Sequence, residues 1–260
     1  MSRRKRRGRT RRVTGLQRLF GVLLLGVAGA GAWLGGLLAS SHMHLLRAEL
    51  FLDDWTANGS PPSPAAAAAA EAAITTAIAR FPVDHAGLHE VHGRILSWQT
   101  WSAPHGDPAV EPIRRAALDA YRQATATRPH WAFNWLGIAR IKVELLEFDS
   151  ELDTALWYAL HGAPWRTTPL TELARHGLIA WPLLDEPGRV ATLAAATRVA
   201  ARSRRHARDL EPWIDASTGI AAVRGVAGGH LAAPDARAMI CHELELQGIA
   251  GGNGLCPAAS

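Results

Sequence analysis

Residues 117–135 read ALDAYRQATATRPHWAFNW, and the fold turns on this stretch. Ala117, Tyr121 and Ala124 carry small and aromatic side chains at helical spacing. Pro129 closes that helix before a second one opens. Small residues let paired helices approach, and aromatics fill the gap to the next pair. Working outward, the same reading gives helices at 84–101, 109–128, 130–146, 150–162, 169–184, 187–205 and 235–247. Ser150-Glu151-Leu152-Asp153 resembles a capping box, while Thr168-Pro169 and Glu186-Pro187 place proline at a helix opening. Upstream, Ser63-Pro64 caps an Ala-rich helix running to about residue 80, beyond an Asn58–Pro62 linker and a short helix at 43–55. Residues 206–233 read as loops with at most one short helix, and Gly248 stops the last helix. No run alternates with period two, so the chain reads as all-α.

Helix pairs of this length call for a search for repeats. Ala117, Tyr121, Ala124 and Pro129 meet the spacings of a tetratricopeptide second helix. In the same frame, Trp135, Ile138, Ala139 and Phe148 fill the expected places of the next unit. That unit then departs from the pattern: Glu151 stands where a small residue belongs, Ala155 where an aromatic belongs, and Pro164 comes one residue late. The expected fold is a tetratricopeptide-like α-solenoid or helical bundle behind a single N-terminal transmembrane helix.

The whole-chain charge of +5 hides two unlike parts. Residues 1–18 hold nine Arg or Lys and no acid, leaving nineteen basic against twenty-three acidic side chains in the rest. A basic groove for nucleic acid is therefore not expected. Directly after the tag comes LFGVLLLGVAGAGAWLGGLLA (19–39), uncharged and about 31 Å long as a helix, enough to cross a bilayer. The positive-inside rule puts the tag in the cytoplasm and the body outside. The expected organisation is a basic cytoplasmic tail (1–18), a signal anchor (19–40), and a juxtamembrane helix and linker (41–63). A helical domain (64–205) and a C-terminal segment with one helix and a Gly-rich tail (206–260) follow. Ala39-Ser40-Ser41 also offers a cleavage site for an export signal. Gly31 and Gly35 form a GxxxG within the span, and the oligomeric state stays open.

The order of Tyr121-Arg122-Gln123-Ala124, Arg128-Pro129-His130-Trp131, Asn134-Trp135, Ala139-Arg140-Ile141-Lys142, Glu147-Phe148-Asp149, Gly162-Ala163-Pro164-Trp165 and Gly177-Leu178-Ile179-Ala180-Trp181 carries a further likeness. It resembles the VpsP-type exopolysaccharide-biosynthesis proteins of proteobacteria over about a quarter of the chain. The resemblance implies a membrane-anchored, tetratricopeptide-like helical domain, and the charge asymmetry above sets the expectation of an inner-membrane anchor with the body in the periplasm. Its implied partners are protein components of a polysaccharide synthesis or export system. Where the family pattern has Gly-Pro-Trp-Glu-Pro, this chain has Ala163-Pro164-Trp165-Arg166-Thr167, a change of charge in that loop.

Candidate chemistry is sparse. Ten Trp are present, and those from Trp98 to Trp181 read mainly as packing between helices. Trp131, Trp135, Trp165 and Arg166 are the candidate binding residues, with Trp165 set apart by its loop. His85, His89 and His92 fall at i, i+4 and i+7 of the expected 84–101 helix, a weak metal-binding face. Glu90, Glu144 and Glu147 offer carboxylates without a fixed separation. No P-loop, dinucleotide fingerprint, nucleophile elbow or CxxC occurs, so neither an enzyme nor a cofactor is expected. Cys241 and Cys256 are the two cysteines, and a periplasmic setting permits a disulfide between them. Two free thiols are the alternative. The expected function is protein–protein interaction in exopolysaccharide assembly. A polysaccharide-binding module or a metal-dependent enzyme on the histidine face is the other reading.

Overall fold

A computed structural model describes residues 15–203 together with Arg205, His206 and Leu210. Those residues form eight α-helices and no strand, as the missing period-two alternation implied. The expected helix at 235–247 and the cysteine pair Cys241/Cys256 lie outside the described residues, as do Trp213 and most of the basic tail.

Helix α1 (Gly15–Asn58) is one unbroken rod of 44 residues, about 66 Å long. The helix expected at 43–55 is the outward continuation of this same rod. Neither Pro nor Gly occurs from Leu37 to Asn58, so nothing interrupts the ladder. Gly59, with φ +59°, ends it, and its N–H bonds the Trp55 carbonyl at 2.9 Å. The first half exposes Leu19, Val22, Leu23, Leu25 and Trp33. Its most apolar window has a mean hydropathy of 2.0 with none of it buried, long and apolar enough to cross a membrane. The second half instead buries Ser41, Ala48, Leu52 and Trp55, which share one face.

That face packs on α2 (Pro64–Arg80) through Ala70, Ala73, Ile74 and Ala77, and on α3 (Ala86–Gln99) through Leu88, Val91 and Ile95. Alanines on α2 let the α1 backbone come close enough for the Ser41 hydroxyl to donate to the Ala77 carbonyl at 2.8 Å. The Ser63 hydroxyl accepts from Ala66 N at 3.2 Å, and Pro64 opens the helix, as its sequence indicates.

Five helices follow: α4 (Glu111–Thr127), α5 (Ala132–Leu145), α6 (Ser150–Gly162), α7 (Thr167–Ala180) and, after a 3₁₀ turn at Trp181–Leu183, α8 (Glu186–Ala200). Consecutive helices pair as α3 with α4, α5 with α6 and α7 with α8, while α5 also packs on α7 and α6 on α8. Their shared core includes Leu118, Ile138, Ile141, Leu152, Leu156 and Leu173. Helix α6 keeps its expected bounds, while its cap and the end of α7 differ from expectation for local reasons. The cap of α6 is Asp149, whose carboxylate accepts from Glu151 N and Leu152 N, so Ser150 is already inside the helix. Helix α7 gives way to the 3₁₀ turn because Pro182 has no N–H to continue it.

Tyr121 joins α3, α4 and α5. A Cβ on Gly93 would lie 2.9 Å from its ring, and one on Gly137 would lie closer still. The phenol is buried, within 3.4 Å of the Ser97 hydroxyl. Glycine here serves close approach, and Gly137→Ala is expected to cost about 1–3 kcal/mol through overpacking, read as a lower thermal midpoint by circular dichroism.

A second junction is ionic. The Lys142 ammonium is buried and stands 2.8 Å from both Asp149 and Glu151 and 3.3 Å from Glu147. Arg122 reaches across from α4 to Glu151 at 2.7 Å. Burial alone would lower the Lys142 pKa, but the bonds to Asp149 and Glu151 outweigh it and raise it. Hydrogen bonds from Arg122, then Lys142, hold the Glu151 carboxyl at about 2, against an ordinary value of 4.5. A carboxyl depressed in the folded state adds stability above its unfolded pKa and loses it as pH falls through the folded one. Thermal melts should therefore fall between about pH 4.5 and 2, and Glu151→Gln should flatten that fall while lowering the midpoint at pH 7.

Candidate functional site

The three histidines do not converge. Helix α3 begins one residue later than a shared face requires, so His85 is its extended N-cap residue and packs its ring on Phe81 at 5.0 Å. His89 is buried, with Nε2 2.6 Å from an Asp84 carboxylate oxygen. His92 is half-buried, and desolvation pushes its pKa down. Among the described residues, no group of three or more His, Cys, Asp or Glu is arranged to hold a metal.

The four expected binding residues separate. Trp135 stacks on Tyr158 of α6 at 4.8 Å, and its Nε1 donates to the Pro129 carbonyl at 2.7 Å. Trp165 is 74% exposed, with the Arg198 guanidinium 5.3 Å from its ring and Arg202 donating to its carbonyl. Trp131 and Arg166 lie elsewhere, each against the Phe133 ring. Arg166 caps α7 and reaches back over the Phe133 ring at 5.1 Å. Trp131 caps α5, with Arg128 3.9 Å above its ring.

Trp131 and Phe133 are walls of a cavity of about 430 Å³ between α3, α4, α5 and α7. Each helix contributes a stripe. Glu90 and Arg94 stand one turn apart on α3, and Tyr121 comes from α4. Phe133, Leu136, Gly137 and Arg140 form the α5 stripe, and Pro169, Glu172 and His176 the α7 stripe. Such stripes normally carry apolar residues into a core, and here they carry six ionisable groups, Tyr121 among them.

The charges are held in place by neighbours. Arg140 Nε donates to Glu144 at 2.7 Å, and Arg175 donates to Glu172 at 2.5 Å. His176 Nε2 stands 3.5 Å from the same Glu172 carboxylate. Burial would raise the Glu172 carboxyl, but the His176 hydrogen bond and the Arg175 and Arg140 charges hold it at about 2. Burial also pushes His176 down, which leaves a neutral imidazole beside a charged carboxylate at pH 7. Glu90 behaves oppositely. Desolvation raises its carboxyl, only partly offset by Arg94, Trp131 and Arg128. Desolvation likewise raises the Tyr121 phenol. The cavity thus holds two carboxyl groups shifted in opposite directions, two guanidiniums, an imidazole shifted down and aromatic walls.

Reading the sequence for binding residues misses this set, apart from Trp131 and the bare mention of Glu90. A usable signal was present in the charged i, i+4 pairs Glu90/Arg94 and Glu172/His176 on otherwise apolar helices. In comparisons with protein-family models, with curated proteins and with solved structures, nothing matches this chain.

Glu172 supports His176 in the charged state, so Glu172→Gln is expected to push the His176 pKa lower still. It should also cost about 1–3 kcal/mol by removing the carboxylate that Arg175 and His176 share. Histidine-selective NMR titration and thermal melts measure the two effects.

Proposed function

We propose that the protein is a non-catalytic, membrane-anchored helical-repeat adaptor that serves exopolysaccharide biosynthesis or export by binding a protein partner. The body lies on the periplasmic side of a bacterial inner membrane, with the basic N-terminus in the cytoplasm. The observation that carries this reading is the continuity of α1. Its exposed apolar half passes into the core of the helical body without a joint. Burial begins at Ser41, two residues beyond the uncharged stretch that ends at Ala39. The domain is thereby held close against the bilayer, where an adaptor gains effective concentration for a membrane-bound partner.

Two further features support it. The pairing of α3–α4, α5–α6 and α7–α8, with α5 on α7 and α6 on α8, suits a stacked helical repeat of the tetratricopeptide kind. The α6 surface exposes Trp157 and Tyr158 at a hollow of about 670 Å³ rimmed by Asp185, Glu186 and Pro187. An aromatic floor beside carboxylates suits an apolar partner segment with basic flanks.

Affinity purification of the full-length protein from bacterial membranes, with identification of co-purifying proteins, tests the reading. Envelope polysaccharide-synthesis or export proteins should be recovered and should be depleted by Trp157→Ala. Recovery of none of them overturns it. A C-terminal alkaline phosphatase fusion should be active if the body is periplasmic, and a silent fusion reverses the topology.

A further inference from the structure

An adaptor that binds only proteins has no need of the charged cavity between α3, α4, α5 and α7. We propose that this cavity is a binding site for a neutral saccharide, with sugar hydroxyls bonded by Glu90, Arg94, Glu172 and His176 and a sugar ring lying against Trp131. The inference goes beyond the adaptor reading and stands or falls without it.

Charge is the first argument. Arg94 and Arg140 balance Glu90 and Glu172, and His176 lies between helices with no further ion in the lining. Arg140 is already bonded to Glu144 at 2.7 Å, and Glu172 to Arg175 at 2.5 Å. A charged ligand of either sign would face one repulsive pair for each attractive one. A hydroxyl escapes this conflict because it donates to a carboxylate and accepts from a guanidinium or imidazole.

The imidazole gives the second argument. His176 is only 5% exposed and lines the cavity, and its Nδ1 has no hydrogen-bond partner among the protein's own groups. A buried polar atom left unpaired is costly, so Nδ1 favours a ligand that brings a hydroxyl to it.

Shape and surface are the third. The Trp131 and Phe133 rings form apolar walls, braced by Arg128 at 3.9 Å and Arg166 at 5.1 Å. Flat apolar walls among hydrogen-bonding groups match the two kinds of surface on a pyranose, its C–H faces and its hydroxyl edge. A volume of about 430 Å³ lies within the usual range for small-molecule pockets.

The test uses the full-length protein in phospholipid nanodiscs, which avoids sugar-based detergents. Cellobiose, maltose and N,N′-diacetylchitobiose are titrated calorimetrically beside inorganic phosphate and digalacturonate. At least one neutral disaccharide should saturate with a Kd below about 1 mM. Arg94 is exposed, so Arg94→Met should keep the fold while weakening that Kd about tenfold, which corresponds to roughly 1.4 kcal/mol. Trp131→Leu should weaken it as well, with circular dichroism as the check on folding. The proposal is overturned if no neutral disaccharide saturates, if phosphate or digalacturonate binds more tightly, or if Arg94→Met binds as the wild type does.

Discussion

The Tyr121 ring sets the distance between α3 and α5, and most of the helical body is arranged around that distance. The ring enters from α4 and meets the backbone of both neighbours at Gly93 and Gly137, where any larger side chain would collide with it. Packing so close leaves α5 no room to slide against α4, because a shift of one residue would bring Leu136 or Ile138 to the ring in place of glycine. The same phenol lines the charged cavity. One contact thus decides both how the helices stack and how wide the hollow between them is. Uncharged, close-packed interactions carry this part of the structure, and the polar groups of the cavity are set on a frame they do not themselves build.

Ionic contacts take over at the junction of α4, α5 and α6. Glu151 occupies a place at which a small residue would let two helices approach, and the structure supplies its reason. The carboxylate meets Lys142 from α5 and Arg122 from α4, so charge pairing replaces close approach at the α4–α5–α6 junction. Nearby, Arg114 is buried and donates to the Ala103, Pro104 and Glu144 carbonyls, pinning the connection between α3 and α4 to the end of α5. Glu144 and Glu147, which in the sequence look like free carboxylates, are both spent in this network. Glu144 meets Arg140 and Arg114, and Glu147 meets Arg115 and Lys142.

Helices were legible because their signals are local. Ser63-Pro64 marks a start that depends only on neighbouring residues, and the boundaries of α2 and α6 follow from such marks. Errors arose where a boundary of one residue changes a side chain's direction. His85 looked like a member of a helical face, but its extended backbone turns it onto Phe81. The cavity was illegible for a different reason. Glu90, Arg140 and Glu172 lie on three helices whose mutual rotation depends on contacts such as Tyr121 with Gly137, and no local pattern encodes that rotation. Trp131 was one of four candidate binding residues, but what it faces follows only from how the helices pack.

The unbroken α1 also fixes orientation. Because the same rod carries the exposed apolar half and the packing face, the body has no joint of its own, and its heading is that of the apolar half. Each residue of an α-helix advances the azimuth by about 100° and the height by about 1.5 Å. Adding one residue between Ala39 and Ser41 would therefore swing the cavity and the aromatic hollow by more than a quarter turn while barely lifting them. The number of residues in that short stretch acts as a compass setting, deciding which way the body faces relative to the apolar half.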